Sequence, residues 1–220
     1  MSHDQTDGNA ELLAQLAPEK RRMLLRSLLQ KRKASDGRER IPRRSGEGPL
    51  PLSFAQQRLW VVDRLEPGSP MYNVAGALRL RGALDAAALR GSLDALVRRH
   101  ETLRTTFAEH DGAPVQVVHL PAPVPLPILD LRSLPHPGRE AERLAAEEAL
   151  RPFDLARGPL MRCTLLRLAE HDHVLCFTLH HVVSDGWSTD VLVREVSAFY
   201  ASAGRGGAVP LPELPVQYAD

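Results

Sequence analysis

The sequence predicts an α/β fold in which a sheet is covered by helices. Three observations carry that prediction: runs of alternating apolar residues take turns with runs at helical spacing, glycine, proline and aspartate punctuate them, and no internal repeat is visible. The length of 220 residues suits one large domain or two small ones. A chain of that size buries roughly 70% of the surface its unfolded form exposes. Hydrophobic residues make up 43% and charged residues 25%, which excludes wholesale disorder, collagen and coiled coil. A net charge of +1 gives no reason to expect nucleic acid or an anionic membrane as partner. No apolar run approaches the length that spans a bilayer. The first twenty residues carry Asp4, Asp7 and Glu11 without an apolar block, so no secretory signal is expected and the location expected is cytoplasmic. Cys163 and Cys176 form neither a disulfide framework nor a zinc-knuckle spacing.

Charge divides the chain. Eleven of the 28 lysines and arginines lie between Lys20 and Arg44. Pro18 suits a first helical position, and Leu24, Leu25, Leu28 and Leu29 follow at helical spacing, so residues 18–33 are expected to form an amphipathic helix. A basic linker then runs to residue 48, and 49–220 form the folded α/β region. Val74 to Leu80 alternate as a strand that Gly82 closes. Asp85 is a good N-cap for a helix reaching about His100, with Leu89, Leu93, Leu96 and Val97 on one stripe. Leu103–Ala108 and Pro114–His119 read as a hairpin about Asp111–Gly112. The prolines of 121–127 suit an extended connection and no central strand. A helix over about 138–151 stops at Pro152. Strands over roughly 160–168 and 173–183 flank a polar turn, and a last helix starts near Ser188 with Val191, Leu192, Val196, Phe199 and Tyr200 inward.

The densest cluster of chemically capable residues is His180–His181–Val182–Val183–Ser184–Asp185–Gly186–Trp187–Ser188. Strand alternation puts His181 on the face of Leu175, Phe177 and Leu179, and His180 on the opposite one. His181 is then the single polar group of an apolar row, where burial would keep the imidazole neutral and able to accept a proton. A metal is not expected: His181 and Asp185 share a face only on a helix, and Val182, Val183 and Gly186 oppose one. Nor does Gly-x-Ser-x-Gly surround Ser184 or Ser188, as a serine hydrolase elbow requires.

His180–His181–x–x–x–Asp185–Gly186 resembles the HHxxxDG signature of the condensation domains of nonribosomal peptide synthetases. Ser53–Phe54–Ala55–Gln56–Gln57–Arg58–Leu59–Trp60 resembles the first core motif of that family, and Arg99–His100–Glu101–Thr102–Leu103–Arg104–Thr105–Thr106–Phe107 the second. The three occur in the family's order, from about Leu50 to the end of the chain. Leu179 stands where the family usually has methionine, a swap that conserves volume.

The resemblance implies a chloramphenicol acetyltransferase-like lobe: a mixed, mostly antiparallel sheet covered by helices, with a second lobe, absent from this chain, completing the active-site tunnel. It implies amide formation between aminoacyl or peptidyl thioesters on the phosphopantetheine arms of donor and acceptor carrier proteins, beside an adenylation domain in the same or an adjacent polypeptide. No cofactor is expected to bind the lobe directly. His181 becomes the catalytic residue, as general base or as hydrogen-bond partner of the amine. His180 becomes a support facing away. Asp185 becomes a structural carboxylate paired with Arg99 or Arg104, Arg99 being preferred. Gly186 allows a close turn or a backbone approach to the thioester arm, Ser188 caps the next helix, and Trp187 and Ser188 border the substrate channel. Two alternatives share this sequence: a coenzyme A-dependent acyltransferase of the same fold, and a non-catalytic carrier-binding module. The fragment alone is expected to be inactive, and Glu66–Pro67–Gly68–Ser69–Pro70 resembles the subtype joining two L-residues.

Overall fold

A computed structural model of the chain describes residues 41–45, 48–203 and 211–220. The expected helix over 18–33 and most of the basic linker lie outside the described residues. Strand β1 (Leu50–Pro51) leads into helix α1 (Phe54–Leu65). A capping box starts α1: Ser53 Oγ accepts from the Gln56 backbone N–H, and Gln56 Oε1 accepts from that of Ser53. Strand β2 (Asn73–Arg81) and helix α2 (Ala86–Arg99) follow, and Asp85 caps α2 by accepting from the N–H groups of Ala87 and Ala88. A 3₁₀ turn, Glu101–Arg104, joins α2 to the hairpin of β3 (Thr105–His110) and β4 (Ala113–Val118). Asp111 and Gly112 both take positive φ, 50° and 77°, as a two-residue hairpin loop demands. Then come β5 (Ile128–Asp130), α3 (Pro137–Leu150), β6 (Met161–Ala169), β7 (Asp172–His180) and α4 (Gly186–Ala203).

The main sheet has the order β2-β7-β6-β5. Its pairs are antiparallel except β5 with β6, which α3 connects as a parallel crossover. The sheet is therefore mixed and mostly antiparallel, as expected. Leu165, Leu175, Phe177 and Leu179 meet α2 and α4 on one face, while Leu166, Cys176 and Val174 meet α3 on the other. Cys163 belongs to the first layer and Cys176 to the second, and both are free. Within the first layer the Phe177 ring lies against Gly76 of β2, which packing permits because glycine has no Cβ. The expected β3–β4 hairpin forms, but it stands outside the main sheet and is joined by β1 in a second sheet, β1-β4-β3, that was not anticipated from the sequence. With α1 and the 153–160 segment it encloses a separate cluster of Leu52, Phe107, Phe153, Leu155, Leu160, Val182 and Val183. That cluster supports the turn after β7, where the two sheets' cores meet the HHxxxDG residues. Among the described residues no helix is long and apolar enough to cross a membrane.

Candidate active site

Strand β7 ends at His180, three residues earlier than the alternation suggests, because its ladder with β2 ends at the pair Asn73–His180. His181 therefore stands in the following turn. Its N–H donates to Tyr72 O at 2.8 Å, and its ring lies exposed on this lobe. The burial expected for the His181 imidazole is corrected accordingly: the turn lifts it off the apolar row that Leu179 closes. Its tautomer is nonetheless set. His181 Nδ1 lies 2.6 Å from Ser184 O, and a carbonyl only accepts, so Nδ1 carries the hydrogen and the neutral ring keeps its lone pair on Nε2.

His180 faces the other way, against Phe153 with ring centroids 6.1 Å apart and near Tyr72 at 6.3 Å. Its Nδ1 accepts from the Val182 N–H at 3.1 Å, and the Ser184 hydroxyl donates to its carbonyl. Burial, helped by the His181 ring, pushes the His180 imidazole down to about 4. Both earlier motifs reach this turn. Gln56 donates to Val182 O at 3.4 Å, and Thr102 Oγ1 donates to Val183 O at 3.4 Å.

Asp185 does not meet either arginine. Its Oδ1 accepts from Ser188 N at 2.8 Å and Ser188 Oγ at 2.6 Å, and Ser188 Oγ accepts from Asp185 N at 3.2 Å. Asp185 is thus the N-cap of α4 and Ser188 the reciprocating third residue, the reverse of the expected roles. The helix begins at Gly186 for the same reason. The hydrogen bonds from Ser188 hold the Asp185 carboxyl below the usual carboxylate range. Gly186 has no left-handed φ, and a Cβ there meets nothing within 4 Å among the described residues, so the turn itself does not demand glycine. Room for a backbone approach is what remains of that expectation.

Arg99 pairs instead with Glu195 of α4, Nε to Oε2 at 3.1 Å, and the same oxygen lies 2.6 Å from His100 Nε2. Arg104 spans Glu101 and the His119 carbonyl. Glu195 escaped the sequence reading although a signal existed: an acid three residues after Leu192, beside Val196 on an apolar stripe, marks a buried ion partner. Gln217 was missed as well. It accepts from Glu101 N at 3.0 Å and donates to Arg99 O at 2.9 Å. Arg44, read as linker, bonds Glu101 at 2.6 Å and Asp220 at 3.4 Å. Trp187, 83% exposed, and Ser188 border a crevice of about 330 Å³, together with His100, Thr102, Ser184 and Val191.

All three motifs thus converge on one turn. The model of the family described as "Condensation domain" matches residues 47–220. The chain belongs to the condensation-domain family. Among similar proteins, chondramide synthase cmdD of Chondromyces crocatus is 51% identical over 173 residues, covering 78% of this chain and 4% of that protein. Phosphinothricin tripeptide synthetase PhsC of Streptomyces viridochromogenes is 48% identical over 211 residues, covering 94% of this chain and 19% of that protein. The starter condensation domain of rhizomide synthetase RzmA superposes with a TM-score of 0.72 at 26% identity, over 77% of this chain and 41% of that one. The first condensation domain of the calcium-dependent antibiotic synthetase gives 0.70 at 29%, over 75% and 40%. This condensation-domain chain thus spans a small part of its curated relatives and about two fifths of the solved domains.

Proposed function

We propose that this lobe contributes the reacting imidazole for amide formation between carrier-borne thioesters, and that His181 is that residue. The observation that supports it is the Nδ1 hydrogen bond to Ser184 O, which leaves Nε2 as an acceptor at the turn the three motifs share. A free α-amine has a pKa of about 8 and is mostly protonated at neutral pH, so the attacking amine must be presented neutral. Its nitrogen forms a bond to the thioester carbonyl, one N–H proton passes to His181 Nε2, and the C–S bond breaks as the thiol leaves with a proton. Positioning contributes alongside proton transfer, since tethered reactants held in line gain several kcal/mol, roughly 7–11 at most, over free ones.

The reading extends to partners. Donor and acceptor peptidyl carrier proteins deliver the substrates on phosphopantetheine arms, and adenylation domains of a cytoplasmic synthetase load them. Because His181 is exposed on this lobe, the exclusion of water from the reaction falls to another part of the domain, and the 220-residue chain by itself is inactive. Replacing His181 by alanine in an intact condensation domain containing this chain abolishes condensation of carrier-bound substrates while the melting temperature stays unchanged. Product formation at the wild-type rate overturns the assignment.

A further inference from the structure

The cluster Arg99–His100–Glu195 does more than replace the expected Arg99–Asp185 pair. Glu195 is 5% exposed, and its Oε2 holds two partners from the second motif. A carboxylate beside a guanidinium only accepts, so the 2.6 Å contact requires a hydrogen on His100 Nε2. In the neutral ring the lone pair then resides on Nδ1. The backbone on either side of His100 is fixed, because Gln217 bonds both Arg99 O and Glu101 N. His100 itself lines the crevice beside the His181 turn. The neighbouring hydroxyls there are engaged: Thr102 donates to Val183 O and Ser188 to Asp185. His100 Nδ1 has no partner among the described residues. Of the remaining lining, Leu96, Leu103, Leu179, Val183, Val191 and Leu192 are aliphatic and Trp187 is aromatic, while the Ser184 hydroxyl donates to His180 O and the Asp185 carboxylate is taken by Ser188.

A crevice walled mainly by apolar side chains, with its other polar groups engaged and one oriented, unpaired acceptor, suits an N–H flanked by methylene groups. We propose that His100, held in its Nε2–H tautomer by Glu195, accepts a hydrogen bond from an amide N–H of the thioester-borne chain. This rests on the function proposed above and adds a second imidazole with a separate role. His181 meets the reacting amine, while His100 registers the chain that brings the substrate in. Glu195 acts through His100 and is a positioning residue.

His100→Gln separates this role from a structural one. The glutamine amide replaces Nε2 as donor to Glu195 and leaves no acceptor at the Nδ1 position. In an intact condensation domain containing this chain, kcat/KM falls about tenfold, the loss of one net hydrogen bond, with an unchanged melting temperature. His100→Asn, whose carbonyl reaches the Nδ1 position, recovers part of the loss. Comparing pantetheine thioesters with ethanethiol thioesters of the same acyl group locates the donor: a loss confined to the former assigns the arm's N–H, and an equal loss in both assigns the acyl group's. Nitrogen-15 NMR of the wild-type protein shows hydrogen on His100 Nε2, a readout independent of turnover and of how the variants fold. Wild-type kcat/KM in His100→Gln, or hydrogen on Nδ1, overturns the inference. His181→Ala measured alongside keeps the two ideas apart: inactive His181→Ala with normal His100→Gln removes this role alone.

Discussion

Replacing Asp185 by alanine distinguishes two architectures for the signature loop. In this structure the side chain accepts from Ser188 N at 2.8 Å and Ser188 Oγ at 2.6 Å, and among the described residues it meets no arginine. The change therefore removes an N-cap, which costs about 1 kcal/mol within a range of about 0.5–2. For a domain of this size that lowers the melting temperature by roughly 2–4 °C. Asp185→Asn, which keeps an acceptor, costs a few tenths of that. Ser188→Ala and the double variant close a thermodynamic cycle whose coupling term isolates the reciprocal pair. Urea unfolding read by circular dichroism supplies all four values, with an unchanged m-value as the check on two-state behaviour. The pH dependence has a definite sign. The folded carboxyl is held low by Ser188, so its contribution is present above the ordinary aspartate value of 3.8 and is lost as pH falls through the folded value. A buried pair with Arg99 predicts something else: breaking it costs about 3–5 kcal/mol and removes soluble protein. A loss of that size on Asp185→Ala would falsify the cap assignment.

Gly76→Ala places a Cβ 2.8 Å from both Cε atoms of Phe177, a ring only 4% exposed, so the strands must part. Overpacking of that kind costs about 1–3 kcal/mol against a gain of about 0.4–1 from the stiffer unfolded chain, and equal or greater stability in urea refutes the contact. His180 is held neutral to about 4 from an ordinary 6.5, so the unfolded chain binds its proton first as pH drops. Stability attributable to it is complete above 6.5 and falls toward pH 4 by on the order of 3 kcal/mol, and His180→Asn flattens that slope; an unaltered slope refutes the burial argument. Loss of condensation in His181→Ala and a tenfold fall of kcat/KM in His100→Gln complete the set, both measured in the intact domain.

Local chemistry made most elements legible. Asp85 announced α2, Asp111–Gly112 the hairpin, and the alternation of Leu175, Phe177 and Leu179 the inward face of β7. Pairing that depends on distant residues was not legible. Nothing near Pro51 announces that Leu50 and Pro51 add an edge to the β3–β4 hairpin, since two residues carry no period. The end of β7 depends on where β2 stops opposite it, so His181 was given a strand's burial when a turn exposes it. The loop's internal bonds were misassigned for a related reason: Asp185 and Ser188 lie three apart and satisfy each other, a local solution that outcompetes a distant arginine. Arg99 then takes Glu195, the acid that α4 carries on its buried side.

Gln217 has a bearing on how chains of the condensation-domain family are cut and rejoined. It lies more than a hundred positions from the motif whose peptide groups it holds, so a splice upstream of it imports the clip from a foreign donor. Chimeras joined beyond Asp220 inherit the match intact, whereas those joined between α4 and Gln217 depend on the newcomer supplying an equivalent amide at the same height.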